Sequence, residues 1–232
     1  MIKFLKFRSC SVLILFLIGI VFLAGCLPES DGDKSSESNA VKVVIADRVF
    51  KIPKGYFDGR APTGKDTESV VLEYSLPGFE VLPQEREAKQ KLINEGRMRG
   101  MLLEAERNRP SFDVAVQNLM RGRDFIKERK LFYNLEKYVH QVPKPISDDL
   151  AYAPYVEDDF FIERNDDGSV KSYLRCSPPG KHKIPGCRHR FIDRGLLYNI
   201  HWRIQELPDW QKQRDAAIDF IDSLEAKQKE QE

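Results

Sequence analysis

The sequence predicts an α+β fold, in which an antiparallel sheet of short hairpins packs against helices and one disulfide is present. Residues 198–205 alternate between apolar and polar side chains, which is typical of a strand with one buried face and one solvated face. Asp167-Gly168 lies between two apolar runs, which is a strong hairpin signal. The order of strands, helices, strands and a last helix along the chain favours the α+β class.

The N-terminal part of the fold is predicted to consist of strands. Residues 41–52 are rich in β-branched side chains on either side of Asp47-Arg48, which predicts a short hairpin. Residues 69–76 form another candidate strand, and Pro77-Gly78 ends it.

The middle of the chain is predicted to be helical. Pro83 occupies a good first-turn position, and Pro110 lies beyond the predicted end of this helix. The apolar residues with helical spacing in this helix are Ala88, Leu92, Met98, Met101, Leu102 and Ala105. Residues 112–139 are also predicted to be mostly helical, although charged residues interrupt their apolar face.

The C-terminal part is predicted to contain two hairpins and a helix. The four predicted strands are residues 158–164, 169–176, 187–192 and 196–205. Pro208-Asp209 begins the last helix, whose apolar stripe includes Trp210, Ala217 and Ile221.

The first 26 residues have the pattern of an export signal. Lys3, Lys6 and Arg8 precede an apolar run over residues 12–23, and Leu23-Ala24-Gly25-Cys26 follows. This arrangement resembles the lipobox of bacterial lipoprotein precursors, which implies cleavage before Cys26 and lipid attachment to its sulfur. The alternative is an uncleaved membrane anchor, but the apolar run is short for a membrane span.

The lipoprotein resemblance also implies a location and a domain organisation. In that family, an aspartate after the cysteine retains the protein at the inner membrane. Leu27 therefore implies the periplasmic face of the outer membrane, where the lipid chains anchor the protein, provided that the source has such a membrane. We expect a signal peptide over residues 1–25, a lipidated, polar tether over residues 26–40 and a single globular domain over residues 41–228.

Two further cysteines are predicted to form a disulfide. Cys10 leaves with the signal peptide and Cys26 carries the lipid, so that Cys176 and Cys187 remain as a pair in an oxidising compartment. A metal site that adds His182, His189 or His201 to the two thiols is the alternative. The spacing of the cysteines differs from the tight pairs that zinc prefers, so we predict no metal site.

Composition and motifs argue against several classes of function. Removal of the three leader cations leaves 34 basic and 36 acidic side chains, a net charge of −2, which does not suggest a nucleic-acid partner. The four histidines lie outside known metalloprotease spacings, and no nucleophile elbow is present. We therefore predict a protein that is not an enzyme and needs no cofactor, with histidines at the surface or in turns.

A basic cluster lies on or beside the predicted disulfide loop. It consists of Lys181, Lys183, Arg188 and Arg190. Such a cluster is either a solvated loop or a docking site for an acidic protein partner, and the second interpretation is the sharpest binding hypothesis that the sequence supports.

Several short segments resemble periplasmic lipoproteins that act as immunity proteins against secreted antibacterial toxins. The segments are Phe50-Lys51-Ile52-Pro53 with Tyr56, residues 72–79 with Pro77-Gly78, residues 176–187, and Leu207-Pro208-Asp209-Trp210. Residues 86–139 have no counterpart in the resemblance. It implies a protein that occludes a toxin surface stoichiometrically. The alternatives are a structural or assembly lipoprotein of the envelope and, with less support, an envelope hydrolase.

Overall fold

The structure is a computed structural model that describes residues 39–57, 59, 61–62, 67–107, 109–141, 158–178 and 185–226. The predicted signal peptide, Cys26, nearly all of the predicted tether, Lys181, His182 and Lys183 lie outside the described residues.

The described strands form two antiparallel sheets. The strands are β1 (Ala40–Ile45), β2 (Arg48–Pro53), β3 (Ser69–Ser75), β4 (Met98–Ala105), β5 (Phe125–Lys127), β6 (Glu136–His140), β7 (Asp159–Arg164), β8 (Val170–Cys176), β9 (Gly186–Asp193) and β10 (Leu196–Arg203). The helices are α1 (Arg86–Asn94), α2 (Phe112–Met120) and α3 (Trp210–Leu224). β1 pairs with β2, and the other eight strands have the order β3-β4-β10-β9-β8-β7-β6-β5. The predicted α+β class is therefore confirmed, with sheet dominating.

The hairpins that local signals predict are present. The β1–β2 turn has positive φ angles at Ala46 (50°) and Asp47 (64°), and the β9–β10 turn has them at Arg194 (44°) and Gly195 (76°). Two successive positive φ angles give a turn whose twist matches that of the flanking strands. These turns fix the registers in which β1 pairs with β2 and β9 pairs with β10.

The β1–β2 hairpin and α3 cover one face of the eight-stranded sheet. Buried side chains from the hairpin and from α3 join one hydrophobic core with the inward side chains of the sheet; they include Val43, Phe50, Ile52, Trp210, Ala217 and Ile221. Ala217 and Ile221 lie on one side of α3, as expected for an amphipathic helix. We call this side of the sheet the covered face.

An ion-pair cluster holds the hairpin against the end of α3. The guanidinium of Arg48 donates to Asp222 at 3.0 Å and to Glu225 at 2.8 Å. Arg194, in the β9–β10 turn, also donates to Asp222. These contacts join the hairpin, α3 and the large sheet at one corner of the covered face.

The opposite face of the sheet carries α2 over only part of its width. Phe112 and Val116 of α2 pack against Tyr173 and Val170 of β8 and Ile162 of β7 in a second, smaller core. This core lies mainly over β7 and β8, and Leu197 of β10 also contributes to it.

The predicted long helix after Pro83 is wrong in its second half. α1 ends at Asn94, Gly96 adopts a positive φ of 60°, and residues 98–105 form β4, the second strand of the large sheet. The apolar residues of this segment fit a helical spacing by coincidence. In the structure, Met101 and Leu103 alternate with partly exposed neighbours, because β4 pairs with β3 on one side and with β10 on the other.

The predicted helix over residues 112–139 is also mostly wrong. Only α2 is helical, and Gly122 leaves the helix with a positive φ of 73°. Two strands follow, and Tyr133 and Asn134, both with positive φ, form the turn before the second one. The charged residues after α2 therefore do not lie on the exposed side of a longer helix, because the helix ends before them.

The predicted disulfide is present. Cys176 at the end of β8 and Cys187 near the start of β9 are directly opposed in the sheet, and their sulfur atoms are 2.05 Å apart. The bond therefore links the end of β8 to the start of β9, directly before the exposed Arg188.

Reduction of this disulfide is expected to lower the free energy of unfolding by roughly 3 kcal/mol, because the bond closes a short loop in the unfolded chain. Urea denaturation with and without reductant measures the change. The variant Cys176→Ala/Cys187→Ala is the control, since its unfolding midpoint should not respond to reductant. Equal midpoints for the oxidised and reduced parent would contradict the prediction.

Candidate protein-binding surface

The candidate site is the part of the sheet that α2 leaves exposed. We call it the open face, and it consists of the side chains of β3, β4, β10 and β9 that point away from the covered face. They are Val71, Glu73, Met98, Gly100, Leu102, Arg188, Arg190, Ile192, Asn199, His201 and Arg203. Val71 is 55% exposed and Ile192 is 37% exposed, so apolar surface is available to a partner here.

Basic side chains form a row across the open face. Arg175 of β8 is directly opposite Arg188 of β9, and Arg188 is directly opposite His201 of β10. In the next row, Arg190 lies between Tyr173 and Asn199. Direct neighbours on one face of antiparallel strands have closely spaced side chains, so the positive charges reinforce one another.

The cations of these rows differ in their partners. Arg175 donates to Asp158 at 3.2 Å, and Arg190 donates to the hydroxyl of Tyr173 at 3.2 Å. Arg188 is exposed and has no ion pair with any described residue. Its charge is therefore available to a carboxylate from outside the described part of the chain.

The electrostatic environment of His201 reflects this row. Loss of water around the ring lowers the pKa of His201, and the positive charges of Arg188 and Arg190 lower it further. The neutral ring is therefore favoured while the open face remains positive. A carboxylate that binds beside this row would raise the pKa of His201, against the effect of the two arginines.

A hollow of about 440 Å³ lies at one end of the open face, between the end of α1 and the strands β4 and β10. We call it the first hollow, and its lining includes Glu73, Ile93, Met98, Gly100, His201 and Arg203. Glu73 is neutralised by Lys89, whose ammonium lies 3.0 Å from the carboxylate. The remaining charge at the hollow is positive, from Arg203.

A second hollow of about 250 Å³ lies at the other end of the open face, beside the start of α2. Leu102, Arg190 and Ile192 contribute to its lining, together with Phe112 of α2. The predicted binding residue Arg190 therefore forms part of the wall of the second hollow.

The structure places two of the four predicted binding residues on this surface. Arg188 and Arg190 both project from β9 onto the open face, and Lys181 and Lys183 lie outside the described residues. Sequence reasoning did not identify the wall that α1 forms or the contribution of Gly100, because the strand β4 was predicted as helix. The polar side chains of the last strand were the available signal, since alternation alone placed His201 on the same exposed side.

His189 corrects the prediction that the histidines lie at the surface or in turns. It is 0% exposed and belongs to the covered face, where its ring contacts those of Phe191, Trp202 and Trp210. Burial, with a smaller contribution from the positive charge of Arg214, lowers the pKa of His189 to about 3. The alternation of Cys187, His189 and Phe191 along β9 was the signal for this inward position.

A buried polar chain runs beside His189. The hydroxyl of Ser172 donates to Glu163 at 2.8 Å, and its oxygen lies 3.4 Å from Nε2 of His189. Arg214 of α3 donates to the same carboxylate at 3.3 Å. Ser172 is 1% exposed and His189 is 0% exposed, whereas Glu163 is only partly buried and also pairs with Lys171. The serine and the histidine are therefore enclosed on the covered side, away from the open face.

The described part of the chain offers neither a metal site nor a membrane-spanning helix. Its histidines, cysteines and acidic residues form no group of three or more that could hold a metal ion. None of its helices has the length and apolar character that crossing a bilayer requires.

Comparisons with known proteins show what the fold resembles. No protein-family model matches the sequence, and no curated protein matches it. An immunity protein of the Stenotrophomonas maltophilia type IV secretion system is 20% identical with a TM-score of 0.56, over 82% of this chain and 94% of that chain. The Neisseria meningitidis iron-regulated outer membrane lipoprotein FrpD is 11% identical with a TM-score of 0.46, over 82% of this chain and 93% of that chain. The chain therefore shares its fold with an immunity protein of a bacterial secretion system.

Proposed function

We propose that this protein acts by binding another protein stoichiometrically at the open face, as an immunity protein that neutralises a secreted antibacterial toxin. The open face carries the proposal, because the exposed apolar side chains of Val71 and Ile192 share one sheet face with the cation of Arg188. Arg188 has no ion pair with any described residue. Protein interfaces combine an apolar centre with arginine and a polar rim. Such a surface can occlude a toxin without any catalytic group, so we propose a protein that is not an enzyme.

The fold supports the same function by analogy. The similar immunity protein covers most of this chain and is almost wholly covered by it. One fold can carry many functions, so the similarity supports the immunity hypothesis only by analogy. The physical argument for the hypothesis comes from the open face.

The proposed location follows from the lipobox-like segment that ends at Cys26. We propose that lipid chains on Cys26 anchor the protein at the periplasmic face of the outer membrane, with Leu27 as the sorting residue. Each buried methylene contributes about 0.8 kcal/mol, and stable anchoring needs at least two acyl chains. The predicted tether would then hold the binding domain near the membrane, where an incoming toxin arrives.

Replacement of Cys26 with serine is expected to abolish processing and lipid attachment, because the acylated atom is the cysteine sulfur. Metabolic labelling with a radioactive fatty acid and membrane fractionation measure the two effects. Cys10→Ser is the matched control and should leave both unchanged. A Cys26→Ser protein of mature length in the outer membrane would show that the lipobox interpretation is wrong.

The function is tested with candidate toxins taken from the genes that neighbour this chain's gene. We expect the processed protein to form a 1:1 complex with one of them in size-exclusion chromatography with light scattering. Expression of the protein should protect a sensitive cell from that toxin. A complex without protection, or binding to envelope components alone, would support the structural or assembly alternative instead.

A further inference from the structure

We propose that the first hollow is an anchor pocket for one apolar side chain of the partner, and that the basic row beside it binds a neighbouring carboxylate. The partner is then a protein loop that presents an apolar residue, such as phenylalanine or leucine, next to aspartate or glutamate. This inference rests on the proposed function and names the recognition chemistry of its site.

Gly100 creates the floor of the hollow. It lies in the middle of β4, directly opposite Glu73 of β3, on the open face. A Cβ atom at this position would meet no heavy atom within 4 Å, so the missing side chain leaves open space. Glycine inside a strand normally weakens it, and it often marks a place where another molecule approaches the backbone closely.

The walls of the hollow are apolar on the side of α1. Ile93 is 42% exposed although it borders the hollow, and Met98 at the start of β4 is partly exposed beside it. An apolar side chain from a partner would remove both from water. Buried apolar side chains in central pockets are the contacts that dominate the affinity of protein interfaces.

The wall that β10 contributes to the hollow is positively charged. Arg203 is held in place by a hydrogen bond to the carbonyl of Glu95 at 2.6 Å, and it packs against Gly96, where a Cβ would lie 1.6 Å from its guanidinium. His201 lines the same wall, with Arg188 directly opposite it on β9. Within the described residues, neither Arg188 nor Arg203 has an ion-pair partner, so the charge complement is a carboxylate.

The shape of the hollow favours a protein loop over a small molecule. The hollow is open to solvent along its outer side, and Glu73 in its lining lies two residues along β3 from the exposed Val71. Small-molecule sites enclose most of their ligand, whereas this hollow is broadly open to solvent. A side chain that projects from a larger partner is covered on its open side by the partner itself.

Peptide titrations test the chemistry directly. The mature chain, expressed directly from position 26 with Cys26→Ser so that neither processing nor lipid is involved, is titrated with acetyl-Asp-Phe-Asp-amide and followed by amide NMR. We expect saturable shifts at Gly100, Met98 and Gly186 with millimolar affinity. The peptides acetyl-Asp-Ala-Asp-amide and acetyl-Asn-Phe-Asn-amide should each bind more weakly. The first lacks the large apolar side chain for the hollow, and the second lacks the carboxylates for the basic row. Absence of saturable shifts with the first peptide, or equal binding of all three, overturns the inference.

Filling the hollow tests it in the complex. Gly100→Leu should weaken binding of the purified toxin about 30-fold, while the melting temperature remains at least that of the parent. Ser223→Leu is the matched control, because it adds the same side chain to an exposed position of α3 on the covered side of the sheet, away from the open face. If Gly100→Leu binds the toxin as tightly as the parent, the anchor pocket is wrong and the proposed function stands. If the parent binds the peptide but no toxin, the proposed function fails and the pocket stands.

Discussion

Replacement of Arg188 and Arg190 with glutamate is expected to slow association with the toxin by about tenfold to a hundredfold at low ionic strength. The two arginines project onto the open face, and Arg188 has no ion pair among the described residues. Charges at an interface steer the encounter, so they change the association rate and its salt dependence more than the dissociation rate. Stopped-flow association rates over a range of salt concentrations measure the effect.

The control for charge reversal is a variant with the same change in net charge elsewhere. Lys42 and Lys54 are exposed and belong to the β1–β2 hairpin region on the covered side, so Lys42→Glu/Lys54→Glu should leave the association rate nearly unchanged. In the Arg188→Glu/Arg190→Glu variant, the pKa of His201 should rise, because the two positive charges that lower it are replaced by negative ones. Equal slowing in both double variants would mean that only net charge matters.

Acidification is expected to destabilise the protein through His189. The pKa of this ring is about 3 in the folded state, against about 6.5 for an unperturbed histidine. The unfolded chain therefore binds more protons below pH 6.5, and stability falls as the pH falls from 6.5 toward 3. Between pH 7 and pH 5, this residue alone should lower the free energy of unfolding by about 2 kcal/mol.

The His189→Leu variant isolates this contribution. It lacks the titrating ring, so its stability should change less than that of the parent over the same pH range in urea denaturation. His201, whose pKa is also lowered, contributes in the same direction in both proteins, so the difference between them belongs to His189. The pKa values of Asp222 and Glu225 are lowered from below 5, so these carboxylates act mainly below the tested range. Parallel pH profiles would show that His189 titrates normally.

Local sequence signals predicted the hairpins, and long-range contacts explain the errors. Asp167-Gly168 and the alternation in β10 were sufficient because turn geometry and one-sided burial are properties of short segments. The strand β4 was missed partly because Arg99, at an inward position, interrupts its apolar pattern. Arg99 is only 8% exposed, and the carboxylate of Glu206, at 3.0 Å, compensates its charge from a distant part of the chain.

The candidate site was predictable only where short segments of sequence carry the information. The clustering of basic residues in the sequence identified Arg188 and Arg190, because a positive charge is evident from the residue type alone. The hollow could not be predicted, since its floor is a glycine and its walls come from α1, β4 and β10. The inward position of His189 between those two arginines shows that a basic run in the sequence can be divided between a buried and an exposed face.

Site-specific photo-cross-linking tests the central claim that the toxin binds the open face. A photoreactive amino acid is placed at Val71 or Ile192 on the open face, or at Lys42 on the hairpin that covers the opposite side. With the purified toxin present in equimolar amount, we expect cross-links from positions 71 and 192 and none from position 42. A 1:1 complex that cross-links from position 42 alone would contradict the account.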